Sequence, residues 1–333
     1  MSSDVQSGLA AVTGATGFLG ATLCRKLVEE NRRVRAIFRD PQKLGSLKDL
    51  NVETVQADVT DPAAIRAAFR GVDIVYHVAA LFRQQGVPDS AFWDTNVEGT
   101  RNVLASAVRE GVRRIVHCST VGVHSHIPNP PADENEPYRP GDIYQQTKCE
   151  GEKLALEWFR DGKIDGCVVR PAMIWGPGDT RTLKLFRGIG KRRMPVIGTG
   201  KVLLHWVLVD DVARGMVLAG DSPKSAGQAY IIAGKGPVNI KDLFVLIAEQ
   251  LGVKPIGIKI PAGPIQLIGE VVERVCRPFG IEPPIYRRRV DFFTKTRAFD
   301  WSKARNELGY EPGQTLDEEV RLIVDSYRRL GWV

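Results

Sequence analysis

Short apolar runs alternate with longer stretches of helical periodicity through the first half of the chain. Residues 9–13 are apolar and end in a glycine-rich turn, which predicts a first strand, and residues 18–30 follow with apolar positions at helical spacing. Residues 34–38, halted by Arg39-Asp40-Pro41, predict a second strand, and residues 52–57 a third. Asp61-Pro62 then opens a helix, with Asp as N-cap and Pro at the first helical position. Strands are predicted at 74–78, 115–119 and 167–170, separated by long helices over 89–110 and 141–160. Strands that alternate with helices imply an α/β protein with a doubly wound parallel sheet. The strands are apolar throughout, as strands buried on both faces must be.

Beyond Pro171 the rhythm loosens. Trp175-Gly-Pro-Gly-Asp179 is a turn-rich break, and the remainder mixes helices, prolines and basic segments. Residues 205–219 return to the earlier pattern. The expected organisation is a nucleotide-binding domain from residues 1–174 and 204–234, with a smaller substrate-binding lobe from 175–203 and 235–333. Residues 261–277 are amphipathic, which suits a helix packed on the lobe, a cover for a pocket, or a peripheral contact with a membrane surface.

Composition narrows the class. The 333 residues are 43% hydrophobic and 26% charged, with no apolar run near membrane-spanning length and no signal-peptide core at the N-terminus. Five scattered cysteines without metal-like spacing fit a reduced cytoplasm, and no metal site is expected. The net charge of +7 is spread over separated clusters at Arg113-Arg114, Lys191-Arg192-Arg193 and Arg287-Arg288-Arg289. They carry no nucleic-acid-binding motif, so the expected partner is a small molecule, and a basic surface favours an anionic one.

The turn after the first strand reads Gly14-x-x-Gly17-x-x-Gly20. At a strand–helix junction this spacing holds a dinucleotide: Gly14 permits the tight turn, Gly17 lets backbone approach phosphate, and Gly20 allows the helix to pack closely. The expected fold is therefore Rossmann-like. An acid at the end of the second strand would bind a ribose 2′-hydroxyl, whereas arginine accommodates a 2′-phosphate. Here the strand runs into Arg39 with Lys43 close behind and Asp40 displaced by one position, so NADP is preferred over NAD. Asp58, after the third strand, is placed to meet adenine or to cap its loop.

Tyr144 and Lys148 are four residues apart and share one helical face. With 7 tyrosines and 16 lysines in 333 residues, about 0.3 such pairs arise by chance, so the pair has meaning only in context. The context is a series of ordered blocks: residues 13–20, Ala57-Asp58-Val59, His77-Val78-Ala79-Ala80, residues 96–100, Cys118-Ser119-Thr120, Tyr144-x-x-x-Lys148, Arg170-Pro171, Trp175–Asp179 and residues 205–212. Over nearly the whole chain they resemble the extended short-chain dehydrogenase/reductases. That resemblance implies Tyr144 as general acid/base, Lys148 as the group that binds the nicotinamide ribose and lowers the tyrosine pKa, and Thr120 as the hydroxyl that binds the substrate oxygen, with adjacent Ser119 as the alternative. It further implies that Gly14, Thr16, Gly17, Phe18, Leu19, Arg39, Lys43, Asp58, Val59, Ala79, Ala80, Tyr144, Lys148, Pro171 and Met173 line the cofactor. Asn96 would support the active-site helix, and helices 89–110 and 141–160 would form a homodimer.

Within the family, dehydratases resemble one another in an Asp-Glu pair after the catalytic threonine, where this chain has Val121-Gly122. Residues 34–41 look like dihydroflavonol reductases; residues 170–179 and 299–312 look like 3β-hydroxysteroid dehydrogenases. The activity implied is interconversion of a ketone and a secondary alcohol on a bulky, largely apolar substrate. The alternatives are an NAD-dependent nucleotide-sugar 4-epimerase and a non-catalytic NADP-binding regulatory protein. Of the histidines, His77, His117 and His205 read as structural. His124 and His126 follow Thr120 in a loop and read either as substrate contacts or as loop surface. Cys149 points away from Lys148 and reads as packing.

Overall fold

The computed structural model describes residues 8–82, 86–261, 263 and 287–333. Seven parallel strands form the central sheet in the order Ala229–Ile232, Asp165–Pro171, Arg114–Cys118, Val72–His77, Leu9–Thr13, Arg33–Phe38, Glu53–Gln56. The strand order reverses between Leu9–Thr13 and Val72–His77, and their carboxyl ends open the crevice where such sheets bind ligands. Strand boundaries differ from the periodicity by one or two residues. Ala229–Ile232 is an edge strand that the periodicity did not single out, although its apolar run lies between Gly227 and Gly234.

Both faces of the sheet are covered, which explains the unbroken apolar strands. On one face Leu19, Leu23 and Leu27 of helix Phe18–Glu29 meet Val212 and Met216 of helix Val209–Asp221. Ile65, Val103, Leu104, Leu156 and Phe159 cover the other. Phe299, Ala304, Leu308 and Tyr310 from the C-terminal segment also join the first of these cores, where the Tyr310 hydroxyl donates to Ala233 O at 2.8 Å. A separate cluster gathers Phe186, Ile240, Leu243, Val320 and Tyr327 around Trp175 and Trp206, whose rings stack 4.4 Å apart. It stands beside the crevice because strand Met173–Trp175, just after the sixth sheet strand, pairs with Trp206–Leu208.

The helical run beginning at Asp89 is not uniform. Helix Asp89–Trp93 passes through a π-helical segment, Asp94–Glu98, into helix Gly99–Arg109. Arg113 and Arg114, the first basic cluster, pair with Asp73 and Asp165, so this cluster is consumed within the fold. No helix among the described residues is long and apolar enough to cross a membrane. Most of the amphipathic 261–277 stretch, with Cys276, lies outside the described residues.

Candidate active site

The glycine loop has the geometry its spacing implies. Gly14 takes a φ of +68°, and a Cβ there would come within 2.8 Å of Ala79 Cα on the adjacent strand end. A Cβ at Gly20 would overlap the Gly14 carbonyl, so the helix can pack this closely only without a side chain. Gly17 is the N-cap of helix Phe18–Glu29, which no side chain caps. Its first N–H groups therefore face the crevice as an anion site. A dinucleotide pyrophosphate fits this cradle.

A buried relay ties that loop to the helix bearing the Tyr/Lys pair. Thr13 Oγ1 accepts from the N–H groups of Val78 and Ala79, each at 3.2 Å, and so donates to His77 Nδ1 at 2.8 Å. Thr100 donates to Asn96 O and so accepts from His77 Nε2 at 3.1 Å. These roles require a neutral imidazole protonated at Nε2. Burial, reinforced by the Lys148 charge, lowers the His77 pKa to about 3. Asn96 in turn clamps Leu81 through both side-chain atoms and donates to Thr147 Oγ1 at 3.0 Å, on helix Ile143–Arg160.

On that helix Asp142 is the N-cap, accepting from Gln145 N at 2.8 Å, which fixes the orientation of its first turn. Tyr144 is half-buried, with its ring edge-on to Phe82 at 4.9 Å. Lys148 is buried and donates to Cys118 O at 2.7 Å; burial lowers its pKa while the charges of Cys118 and Glu152 oppose that. One turn further on, Glu152 is fully buried. It accepts from Arg170 Nη2 at 2.6 Å, from the Tyr138 hydroxyl at 2.7 Å and from the Ser119 hydroxyl. The Ser119 hydroxyl proton is thereby committed to Glu152, although Ser119 also reaches the cavity wall. Thr120 is half-buried and its Oγ1 accepts from Gly122 N at 3.0 Å, leaving its hydroxyl proton to donate elsewhere.

All of the nominated residues line one cavity of about 1750 Å³. At one end are Gly14, Thr16, Gly17, Phe18 and Leu19; at the sheet edge are Arg39, Lys43, Asp58, Val59, Ala79 and Ala80; Thr120, Tyr144, Lys148, Pro171 and Met173 complete it. Asp40 also reaches the wall, yet its carboxylate accepts from Gln42 N at 3.0 Å as the cap of the 3₁₀ turn Pro41–Leu47. Asp58 accepts from Thr60 N and Oγ1, each at 2.9 Å, and lies 3.8 Å from Arg39, so it is both a loop cap and a cavity residue.

Of the two loop histidines, His126 matches the loop-surface alternative and His124 departs from both alternatives. His124 is fully buried, neither a cavity residue nor loop surface: its ring stacks on Tyr138 with Nε2 3.3 Å from Arg170 Nη1. His126 is exposed away from the cavity and accepts from Thr296 N at 3.1 Å. His77 and His117 are buried in the strands, and His205 is held by Gly234 O and Phe299 N. Cys149 is buried packing. The sequence reading missed Phe82, Arg181, and the Glu152–Arg170 pair. The regular spacing Tyr144, Lys148, Glu152 was a signal for the last of these. Arg181 offered none, because its neighbours are distant in sequence.

The chain can now be compared with known proteins. The 3-beta hydroxysteroid dehydrogenase/isomerase family matches residues 11–262. A 3beta-hydroxysteroid-dehydrogenase/decarboxylase of Arabidopsis thaliana is 33% identical over 96% of this chain, which spans 62% of that relative's length. The crystal structure of gox2253 superposes with a TM-score of 0.84 at 32% identity, over 98% of this chain and all of the other. A dTDP-glucose 4,6-dehydratase from Streptomyces venezuelae, solved with NAD bound, superposes with a TM-score of 0.77 at 25% identity, over 97% and 98% of the two chains. The family and the Rossmann-like sheet thus agree with the sequence reading, and the NAD of the dehydratase is of the cofactor class that reading expects. This chain belongs to the 3-beta hydroxysteroid dehydrogenase/isomerase family.

Proposed function

We propose that this protein is an NADP-preferring oxidoreductase that interconverts a ketone and a secondary alcohol on a bulky, largely apolar substrate. The observation that carries this reading is the meeting of Thr120, Tyr144 and Lys148 in the same cavity as the glycine loop. The cavity wall includes Phe82, Ile174, Trp206 and Phe292 alongside polar Asp291, Lys295 and Arg297, and its apolar members support an apolar substrate skeleton. A nicotinamide cofactor bound along the glycine loop supplies or accepts the hydride. Thr120 donates to the substrate oxygen and orients it. Tyr144 delivers the proton to that oxygen in reduction and removes it in oxidation. Lys148, anchored on Cys118 O and depressed by burial, holds positive charge against the tyrosine helix and gives up a proton more readily than a solvated lysine. Positioning and charge stabilisation in this partly enclosed site supply the rest of the rate.

Arg39 and Lys43 at the cavity edge, with Asp40 committed to its cap, support NADP over NAD. Exposed Trp93 and Val108 on the 89–109 helical run support a homodimer through these helices. The unpaired thiols of Cys24, Cys118, Cys149 and Cys167 support a reducing, cytoplasmic setting.

Tyr144→Phe tests the function. It should cut carbonyl-dependent NADPH oxidation by about 10²- to 10⁴-fold while NADPH still binds in a fluorescence titration. Full turnover by the variant, or no NADPH consumption by the wild type with any apolar ketone, would sink the proposal.

A further inference from the structure

Arg181 is the second residue of helix Thr180–Gly190, outside the nucleotide-binding sheet, and it lines the cavity. Asp179, almost fully buried, grips it twice: Nε to Oδ1 at 2.8 Å and Nη2 to Oδ2 at 2.9 Å. Nη2 also donates to Ile174 O at 3.2 Å. Asp179 is in turn the cap of that helix, accepting from Arg181 N, so the guanidinium is held by backbone and carboxylate together. The guanidinium lies beside the start of the glycine-loop helix. Its central carbon lies 4.8 Å from the ring of Phe18, the first residue of the glycine-loop helix, and 6.0 Å from the ring of Phe82, which abuts Tyr144. Nη1 takes no part in the bonds to Asp179 and Ile174.

A helix start without a side-chain cap, next to a pre-oriented guanidinium in the same cavity, is built to hold an anion between them. We propose that Arg181 is a cofactor-binding residue, supplied from outside the nucleotide-binding sheet, that contacts the pyrophosphate of the dinucleotide. This rests on the proposed nicotinamide-cofactor reading. Phe18 and Phe82 support the face of the guanidinium, and the buried Asp179 sets its angle. Arg181 therefore adds charge-assisted hydrogen bonds to the N–H groups of the glycine loop and ties helix Thr180–Gly190 to the bound cofactor.

The test is calorimetric titration with ADP-ribose, which carries the pyrophosphate, and adenosine, which lacks both phosphates. Arg181→Gln keeps a donor for Asp179 and removes the charge. It should weaken ADP-ribose by about tenfold to a hundredfold and leave adenosine unchanged. Arg181→Lys, which keeps charge without the planar fork, should fall between the wild type and Arg181→Gln. Equal losses for both ligands would show that Arg181 only maintains the fold and would overturn the inference. Undiminished ADP-ribose binding by Arg181→Gln would overturn it too, leaving the cofactor reading intact. Failure of the wild type to bind either ADP-ribose or its 2′-phosphorylated form would overturn both.

Discussion

Arg39 and Asp40 adjoin in the chain but serve different ends. Arg39 is well exposed at the cavity edge, while the Asp40 carboxylate caps the turn that follows. A 2′-phosphate would therefore meet guanidinium rather than carboxylate. Arg39→Ala is expected to weaken NADPH by about tenfold or more and NADH by much less, because only the former carries the extra charge. Equal effects in parallel titrations would remove the NADP assignment. Ser119 and Thr120 pose a similar choice. Both are hydroxyl residues following the same strand, and adjacency alone left either as the substrate-binding group. The buried Glu152 separates them by accepting the Ser119 proton. That carboxylate is 33 residues away in sequence, so no local pattern around Ser119 could have shown its engagement.

Periodicity located the long helices, but the contact between them follows another logic. The π-helical segment Asp94–Glu98 rotates Asn96 into the space beside Thr147 and Leu81. Gly151, in the middle of helix Ile143–Arg160, admits the Asn96 carbonyl where a Cβ would overlap it. Two effects of Gly151→Ala oppose each other. Helix propensity favours alanine by about 1 kcal/mol. Forcing a methyl against an immovable backbone carbonyl costs about 1–3 kcal/mol and shifts the helix that carries Tyr144 and Lys148. The overlap is with backbone, which cannot swing aside, so the clash should win. Denaturant unfolding should show a net loss of up to about 2 kcal/mol with reduced turnover; a more stable variant would refute this account of the helix contact.

Across the whole molecule, buried histidines set the response to acid. Burial lowers the pKa of His77 to about 3 and also lowers His117, His124 and His205. In the unfolded chain these groups titrate near ~6.5. Below that pH the unfolded state takes up protons that the native state refuses, so stability falls as pH drops toward the folded values. Glu319 acts in the opposite sense. Burial raises it to about 7 despite the hydrogen bond from Trp175, so between its unfolded value and about 7 it favours the fold as pH falls. Burial raises Glu134 and Asp211 as well, in the same sense as Glu319. From pH 7 to pH 5 the four histidines, which titrate from ~6.5 in the unfolded chain, outweigh the three carboxylates, which titrate there only from about 4, so the histidines dominate and the melting temperature should decline. Glu319→Gln should steepen that decline by removing the counter-slope. A melting temperature that is flat or rising toward pH 5 in the wild type would contradict this balance.

The family resemblance supplied most of the residues that meet in the cavity; the sequence pattern by itself determined the sheet's first six strands, the glycine cradle and the Tyr144/Lys148 spacing. Those features are written in local rules: alternating apolar runs, glycines where a Cβ cannot fit, and a tyrosine and lysine one helical turn apart. Tertiary structure decided which neighbours satisfy the polar groups. It tied the Ser119 hydroxyl to Glu152, buried His124 behind Arg170, and brought Arg181 from beyond the sixth strand to lie against the glycine-loop helix. Such choices depend on contacts between segments far apart in the chain, where burial in low dielectric makes each unpaired polar atom costly. Periodicity carries no record of those partners.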